Sequence, residues 1–154
     1  MNESKDSHEF VLVHMLEPVE LGTQFTMWPL HMTLLPWFNA PSAEVVRKEL
    51  VRALEAIKSL SLKIGEKEFF GQRKLPVRLV VNTSELQNLH SALLKMVDEN
   101  GWNLQGRYTG GHFKPHVTNK SGKQAEDELR VYSVYVFEKM PHGYRKAVAK
   151  VDLA

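Results

Sequence analysis

A six-residue pattern that occurs twice constrains the fold of this chain more than any other feature. Residues 28–33 read Trp-Pro-Leu-His-Met-Thr, and residues 113–118 read Phe-Lys-Pro-His-Val-Thr. The chain has only seven His and six Thr, so chance alone gives about 0.3 His-x-Thr tripeptides in a sequence of this composition. Two copies that share an aromatic residue three positions before the His therefore indicate two related halves.

Each copy has the side-chain pattern of a strand that presents His and Thr together. Successive side chains of a strand point to opposite faces, so residues two apart share a face. His31 and Thr33 therefore lie side by side in the first copy, and His116 and Thr118 in the second. The apolar residue between them faces the opposite side in both copies, so each motif places an imidazole beside a hydroxyl.

The order of predicted elements places one motif strand and one long helix in each half. Ser42 is a plausible N-cap for a helix to about Leu60, and Ser84 with Gln87 forms a capping-box pattern for a second helix that Gly101 ends. The strands are predicted at Glu9–Leu16, Leu30–Trp37, Leu62–Phe70, Leu75–Val81, Leu129–Glu138 and Ala147–Leu153. This pattern predicts an α+β fold of two pseudo-symmetric lobes of antiparallel sheet, with flanking helices around a central cleft.

Length and composition set the expected domain organisation. At 154 residues the chain fits one domain, and we expect a disordered N-terminus over residues 1–8 and a single bilobal domain over residues 9–154. Residues 1–7 are polar and lack the apolar core of a signal peptide. Residues 21–43 are uncharged, but three prolines interrupt them and no continuous apolar helix fits. We therefore expect a cytoplasmic protein with no membrane segment, acting as a monomer.

The residue types of the doubled motif suit phosphoryl chemistry. The chain has no Cys, which excludes thiolate catalysis and cysteine zinc sites. An imidazole titrates near neutral pH, so one His can act as a base while the other acts as an acid. Two Thr hydroxyls can donate to the non-bridging oxygens of a phosphate. This chemistry requires neither a metal nor another cofactor, and the sequence has no P-loop.

With these motifs the chain resembles the two-histidine (2H) phosphoesterase superfamily. His31-Met32-Thr33-Leu34 and His116-Val117-Thr118 are similar to its paired motifs, and the branch they resemble contains bacterial 2′-5′ RNA ligases and RNA 2′,3′-cyclic phosphodiesterases. The resemblance implies a bilobal fold with His31, Thr33, His116 and Thr118 lining the cleft. It also implies hydrolysis or transfer at 2′,3′-cyclic or 2′-5′ phosphodiesters of RNA ends or small nucleotides. By analogy within the family, His116 activates the nucleophile and His31 protonates the leaving ribose oxygen.

Several residues near the motifs are candidates for substrate binding. The stretch 105–125 carries basic side chains and no acidic ones, which creates a local positive field around the second motif. Trp37 is a candidate for stacking on a base, with core packing as its alternative. The other candidates, each with a solvated loop position as its alternative, are Tyr108, Lys114 and Lys120. Three histidines outside the motifs are expected to be structural or solvent-facing: His14, His90 and His142.

Two other classes of function remain open for this sequence. A non-catalytic RNA-binding or nucleotide-binding domain would use the same cleft and the basic stretch without needing both histidines. A structural or regulatory domain would contain the motifs only as core strands. Turnover of cyclic nucleotides separates the enzyme from both of these alternatives.

Overall fold

The computed structural model describes residues 8–72, 74–105, 110–118 and 126–154. These residues form two α-helices, α1 at Ala43–Leu54 and α2 at Ser84–Glu99. They also form nine strands, numbered β1 to β9 in chain order: His8–Met15, Gln24–Phe25, His31–Ala40, Leu60–Phe70, Leu75–Val80, His116–Thr118, Glu128–Val131, Ser133–Lys139 and Arg145–Asp152.

The nine strands form one antiparallel sheet, which divides into two groups of strands between β3 and β6, the strands that contain the two motifs. The order is β2-β9-β8-β1-β3-β6-β5-β4-β7. The first five strands form one lobe, which ends at β3, and the last four form the other, which begins at β6. The two lobes are joined where Met32 of β3 pairs with Val117 of β6. The predicted α+β class, with antiparallel lobes, flanking helices and a central cleft, is therefore confirmed.

Apolar clusters cover both faces of the first lobe. Alternate residues of β1 divide between them, with Phe10 and Leu12 in one cluster and Val11, Val13 and Met15 in the other. The first cluster also contains the buried side chains of α1 and α2, so both helices pack on the same face of the sheet. The second cluster lies on the opposite face, beneath the segment that connects β1 to β3.

Helix α1 begins where the sequence predicts and ends earlier. The side chain of Ser42 accepts a hydrogen bond from the backbone N–H of Val45, as expected of an N-cap. The prediction of a helix to Leu60 was wrong, because α1 ends at Leu54. Leu60 is instead the first residue of β4, where it pairs with Val131 and is buried.

Helix α2 has its N-cap one residue before the predicted one. The side chain of Thr83, not that of Ser84, accepts the backbone N–H of Leu86. The Gln87 side chain donates to the carbonyl of Gly110 and so does not close a capping box. Gly101 follows the helix at a positive φ of 68°, a conformation that favours glycine at a helix end.

Two strand predictions differ from the structure. The segment predicted as one strand from Leu129 to Glu138 is divided at Tyr132, whose side chain is 61% exposed, into β7 of the second lobe and β8 of the first. The sequence predicts a loop over residues 17–27, but this segment contains the short strand β2, which pairs with β9. The segment predicted to be disordered covers residues 1–8; its last residue, His8, is the first residue of β1, and residues 1–7 lie outside the described residues.

Candidate active site

The four motif residues lie together on the two strands that join the lobes. The antiparallel register through Met32 and Val117 places His31 opposite Thr118 and Thr33 opposite His116. The two central residues are fully buried, whereas the four polar residues are partly exposed. The polar side chains therefore share the sheet face opposite the helices, as the two-residue period predicts.

The histidines occupy opposite corners of this group of four, and the threonines occupy the other two. Directly opposed residues of an antiparallel pair are about 5 Å apart, and diagonal ones about 7–8 Å. A phosphate above the centre would therefore have an imidazole on each of two opposite sides and a hydroxyl on each of the other two. This arrangement can carry acid–base chemistry across one phosphorus atom.

Both histidines are held in the same way by the backbone. His31 Nδ1 lies 2.9 Å from the carbonyl oxygen of Pro29, and His116 Nδ1 lies 2.9 Å from that of Lys114. A carbonyl can only accept, so each neutral imidazole carries its proton on Nδ1. The Nε2 atom of each ring then carries the lone pair, which is the tautomer that a base acting through Nε2 requires.

His31 lies against an aromatic group of the first lobe. Its ring centroid is 4.2 Å from that of Trp28, with the planes tilted by 30°. Trp28 in turn contacts Phe25 and Phe137 with ring centroids 5.0 Å away in both cases. This packing fixes one side of the imidazole ring of His31.

His116 has a mixed aromatic and charged environment in the second lobe. The ring of Phe70 lies edge-on to it, with centroids 4.5 Å apart. Lys114 lies 5.0 Å from the Phe70 ring centroid and forms an ion pair of 2.8 Å with Glu68. Burial lowers the pKa of His116; the carbonyl of Lys114 opposes this shift, and the charge of Lys114 adds to it. His116 is therefore neutral at pH 7, as a general base must be.

The predicted substrate-binding residues fall into two groups. Lys114 is exposed, but its ammonium is paired with Glu68. Trp37 is half-buried against the second apolar cluster, and the guanidinium of Arg145 lies 5.0 Å from its ring centroid. Tyr108 and Lys120 lie outside the described residues, as does most of the basic stretch 105–125.

Sequence reasoning missed the contacts of three residues. Trp28 belongs to the repeated pattern, so its position three residues before His31 was the available signal. Phe70 is 46 residues from His116, and nothing in the sequence connects them. His90 is a buried structural residue, as expected, but its two hydrogen bonds to the segments around both motifs have no sequence signal.

Neither a metal cluster nor a membrane helix is found in the described part of the chain. Over residues 8–72, 74–105, 110–118 and 126–154, no three His, Asp or Glu side chains come close enough together to hold a metal ion. Within the same ranges, no helix has the length and apolar character needed to span a membrane.

Several solved structures share the fold of this chain, and some of them contain a bound nucleotide. Escherichia coli LigT in complex with 3′-AMP matches with a TM-score of 0.64 and 13% identity, over 96% of this chain and 99% of that one. A structure described as a phosphoesterase matches with a TM-score of 0.64 and 14% identity, over 96% and 98%. The protein TT0787 of Thermus thermophilus matches with a TM-score of 0.59 and 15% identity, over 94% and 97%. The chain is thus similar in fold to these proteins along nearly its whole length.

The sequence itself establishes the family. The model of the 2′-5′ RNA ligase superfamily matches residues 6–142, and the chain belongs to this superfamily. The resemblance to 2H phosphoesterases that the motifs indicated is thereby confirmed. No curated protein has a significant match to the sequence. Membership supports a function of the phosphoesterase or ligase type.

Proposed function

We propose that the chain is a metal-independent phosphodiesterase for 2′,3′-cyclic or 2′-5′ phosphodiesters of RNA ends or small nucleotides. The observation that carries this proposal is the diagonal arrangement of His31 and His116, each held through Nδ1 in the tautomer that leaves the lone pair on Nε2. The arrangement supplies a proton acceptor, a proton donor and two hydroxyl donors without a further group. The proteins of similar fold add support, because LigT structures contain 3′-AMP, ATP and NADP⁺.

The reaction at a 2′,3′-cyclic phosphate follows from these positions. Neutral His116 accepts a proton from water at Nε2 while the water oxygen forms a bond to phosphorus. The bond from phosphorus to one ribose oxygen breaks, and protonated His31 donates its Nε2 proton to that oxygen. Exchange of protons with solvent restores both rings. Water attacks opposite the leaving oxygen, so the base and the acid must lie on opposite sides of the phosphate.

The threonines stabilise the charge that develops on the phosphate. Each hydroxyl donates one hydrogen bond to a non-bridging oxygen, whose negative charge increases in the transition state. One donor of this kind lowers the barrier by about 3 kcal/mol where it is preorganised. Thr33 and Thr118 lie on strands, so the face to which each side chain points is set before substrate binds.

The test uses variants that remove Nε2 and keep an N–H donor near the position of Nδ1. In His31→Asn and His116→Asn the side-chain amide can still donate to the Pro29 or Lys114 carbonyl, but no atom replaces Nε2. Turnover of 2′,3′-cyclic mononucleotides and of 2′-5′ dinucleotides is measured in excess EDTA. His112→Asn changes an exposed histidine close to the second motif and is the matched control.

We expect turnover by the wild type in EDTA and a loss of about 10²–10⁴-fold in each motif variant, with normal turnover by the control. Circular dichroism and melting temperature would establish that the variants are folded. Full activity in either motif variant would contradict the acid–base pair. Nucleotide binding without any turnover by the wild type would support a binding domain instead.

A further inference from the structure

We propose that His90 is a positioning residue that holds the two motif strands in register from behind the site. This inference rests on the proposed function, because it assigns His90 a part in placing the two catalytic pairs. His90 lies on α2 with its side chain fully buried, so it does not reach the cleft face. It contacts the chain next to both motifs.

Both ring nitrogens of His90 form hydrogen bonds to the backbone of different segments. Nδ1 lies 2.8 Å from the carbonyl oxygen of Leu34, the residue that follows Thr33. Nε2 lies 2.9 Å from the amide nitrogen of Gly110 and accepts its proton. The carbonyl can only accept, so Nδ1 carries the proton and the ring is neutral. One side chain thus links β3 to the segment that leads into β6.

The ring of His90 also contacts the second motif itself. It stacks on Phe113, the aromatic residue three positions before His116, with centroids 3.9 Å apart and planes 2° from parallel. The neighbouring Gln87 of α2 donates to the Gly110 carbonyl at 3.1 Å. Helix α2 therefore holds the N–H and the C=O of Gly110, together with the Phe113 ring.

The short length of β6 gives this link its importance. The strand has three residues, and one pair, Met32 with Val117, defines its register against β3. On the opposite edge of β6, the same three residues pair with β5. A shift of the segment before His116 would move the imidazole relative to His31 and Thr33. Displacements of about 1 Å can lower a rate about 10²-fold, so the link is expected to act on catalysis.

A neutral His90 is required for this link. Protonation of Nε2 would replace the acceptor of the Gly110 N–H with a second donor. Burial lowers the pKa of His90, although the carbonyl of Leu34 opposes this shift. Burial of the ring therefore favours the neutral form that the link requires.

The test uses a variant that preserves the packing and removes both hydrogen bonds. His90→Phe keeps a flat ring against Phe113 without any nitrogen. Val97→Ala, which removes buried apolar volume from the same helix, is the matched control for a simple loss of stability. Measurements are made well below both melting temperatures: kcat and KM for a 2′,3′-cyclic nucleotide, and the ¹⁵N and ¹H signals of the His31 and His116 rings.

We expect His90→Phe to lower kcat about 10- to 100-fold with little change in KM, and to shift the ring signals of His116. Val97→Ala is expected to lower the melting temperature while leaving kcat and these signals unchanged. A wild-type kcat with unshifted His116 signals in His90→Phe would overturn the proposal. Equal losses of kcat in the two variants would also overturn it, since they would indicate a structural role only.

Measurements on the wild type keep the proposal testable if His90→Phe does not fold. The ring ¹⁵N shifts should report a proton on Nδ1 and none on Nε2 of His90, and the Gly110 amide should exchange slowly with solvent. A proton on Nε2 or a freely exchanging Gly110 amide would overturn the link. These signals need no turnover, so a wild type without phosphodiesterase activity would refute the proposed function and leave the link between the strands to be decided separately.

Discussion

The site consists of two half-sites, His31 with Thr33 and His116 with Thr118. They contain the same chemical groups in very different surroundings. His31 lies on a ten-residue strand that pairs along its length with β1 and beside an aromatic group that includes Trp28. His116 lies on a three-residue strand, beside Phe70 of a hairpin and the ion-paired Lys114. Both imidazoles nevertheless have the same Nδ1 contact to a carbonyl two residues earlier.

The difference indicates that the fold holds the two imidazole rings in position by different contacts in each half. The first half-site is supported by the sheet and by apolar packing on both faces. The second depends on side chains from α2 and from the β4–β5 hairpin. Variants that affect one half without affecting the other therefore test this comparison.

After the two histidines, the largest expected effect on the rate comes from the threonines, which should be equivalent in the two halves. Thr33→Val and Thr118→Val keep the branched shape that a strand favours and remove the hydroxyl. Each should lower kcat about 10²–10³-fold, with little change in KM, because each removes one donor to the phosphate in the transition state. Steady-state kinetics with a cyclic nucleotide measures both values.

Serine at the same positions is the control for the threonines. Thr33→Ser and Thr118→Ser retain the hydroxyl and should keep most of the activity. If only one of the two valine variants loses activity, the phosphate is held by one half-site alone and the symmetric account fails.

Behind the first half-site, His14 should make the protein sensitive to acid. His14 pairs with Met32 across β1 and β3, and burial lowers its pKa from 6.5 to about 4. Between these two pH values the unfolded chain binds a proton that the folded chain does not, so the free energy of unfolding falls as the pH falls. The full difference corresponds to about 3 kcal/mol.

Urea unfolding from pH 7 to pH 4 measures this dependence. His14→Leu should reduce the loss of stability over that range by about 3 kcal/mol. An unchanged pH dependence in His14→Leu would show that other groups determine the acid sensitivity.

A smaller effect is expected at Lys114, where the second half-site has its ion pair. The charge of Lys114 helps to lower the pKa of His116, so Lys114→Gln should raise that pKa. The acid limb of the pH profile of kcat/KM should then move to higher pH, because neutral His116 is the reactive form. The ion pair with Glu68 is exposed, so the free energy of unfolding should change by about 1 kcal/mol or less.

The pH profile of kcat/KM for Lys114→Gln is compared with that of Lys58→Gln, an exposed lysine distant in sequence from both motifs. The control should reproduce the wild-type limb. If Lys114→Gln raises KM and leaves the limb in place, Lys114 contacts the substrate and does not tune His116.

The sequence predicts the local features of the half-sites but not their tertiary contacts. Alternation along a strand is a local property, so the shared face of His31 with Thr33 and of His116 with Thr118 follows from the spacing alone. The register between β3 and β6 depends on tertiary packing over 85 residues of separation and has no local signal. The same holds for the contacts of Phe70 and His90.

Errors at the ends of elements have local causes. The sequence pattern predicts Ser84 as the cap of α2, but the adjacent Thr83 can accept the same N–H and is the cap in the structure. The helical spacing of apolar residues in α1 continues through Ile57 and Leu60. The sequence pattern therefore predicts a longer helix than the structure contains. In the structure, Leu60 is buried by pairing with β7 instead.

The most direct test of the paired mechanism compares His31→Asn, His116→Asn and the double variant under single-turnover conditions. If the two rings act as one acid–base pair, each single variant loses about 10²–10⁴-fold in the rate of the chemical step. The double variant should then be no slower than the slower single variant, because either loss alone disables the pair. Multiplying losses in the double variant, or a near wild-type rate in either single variant, would contradict the account.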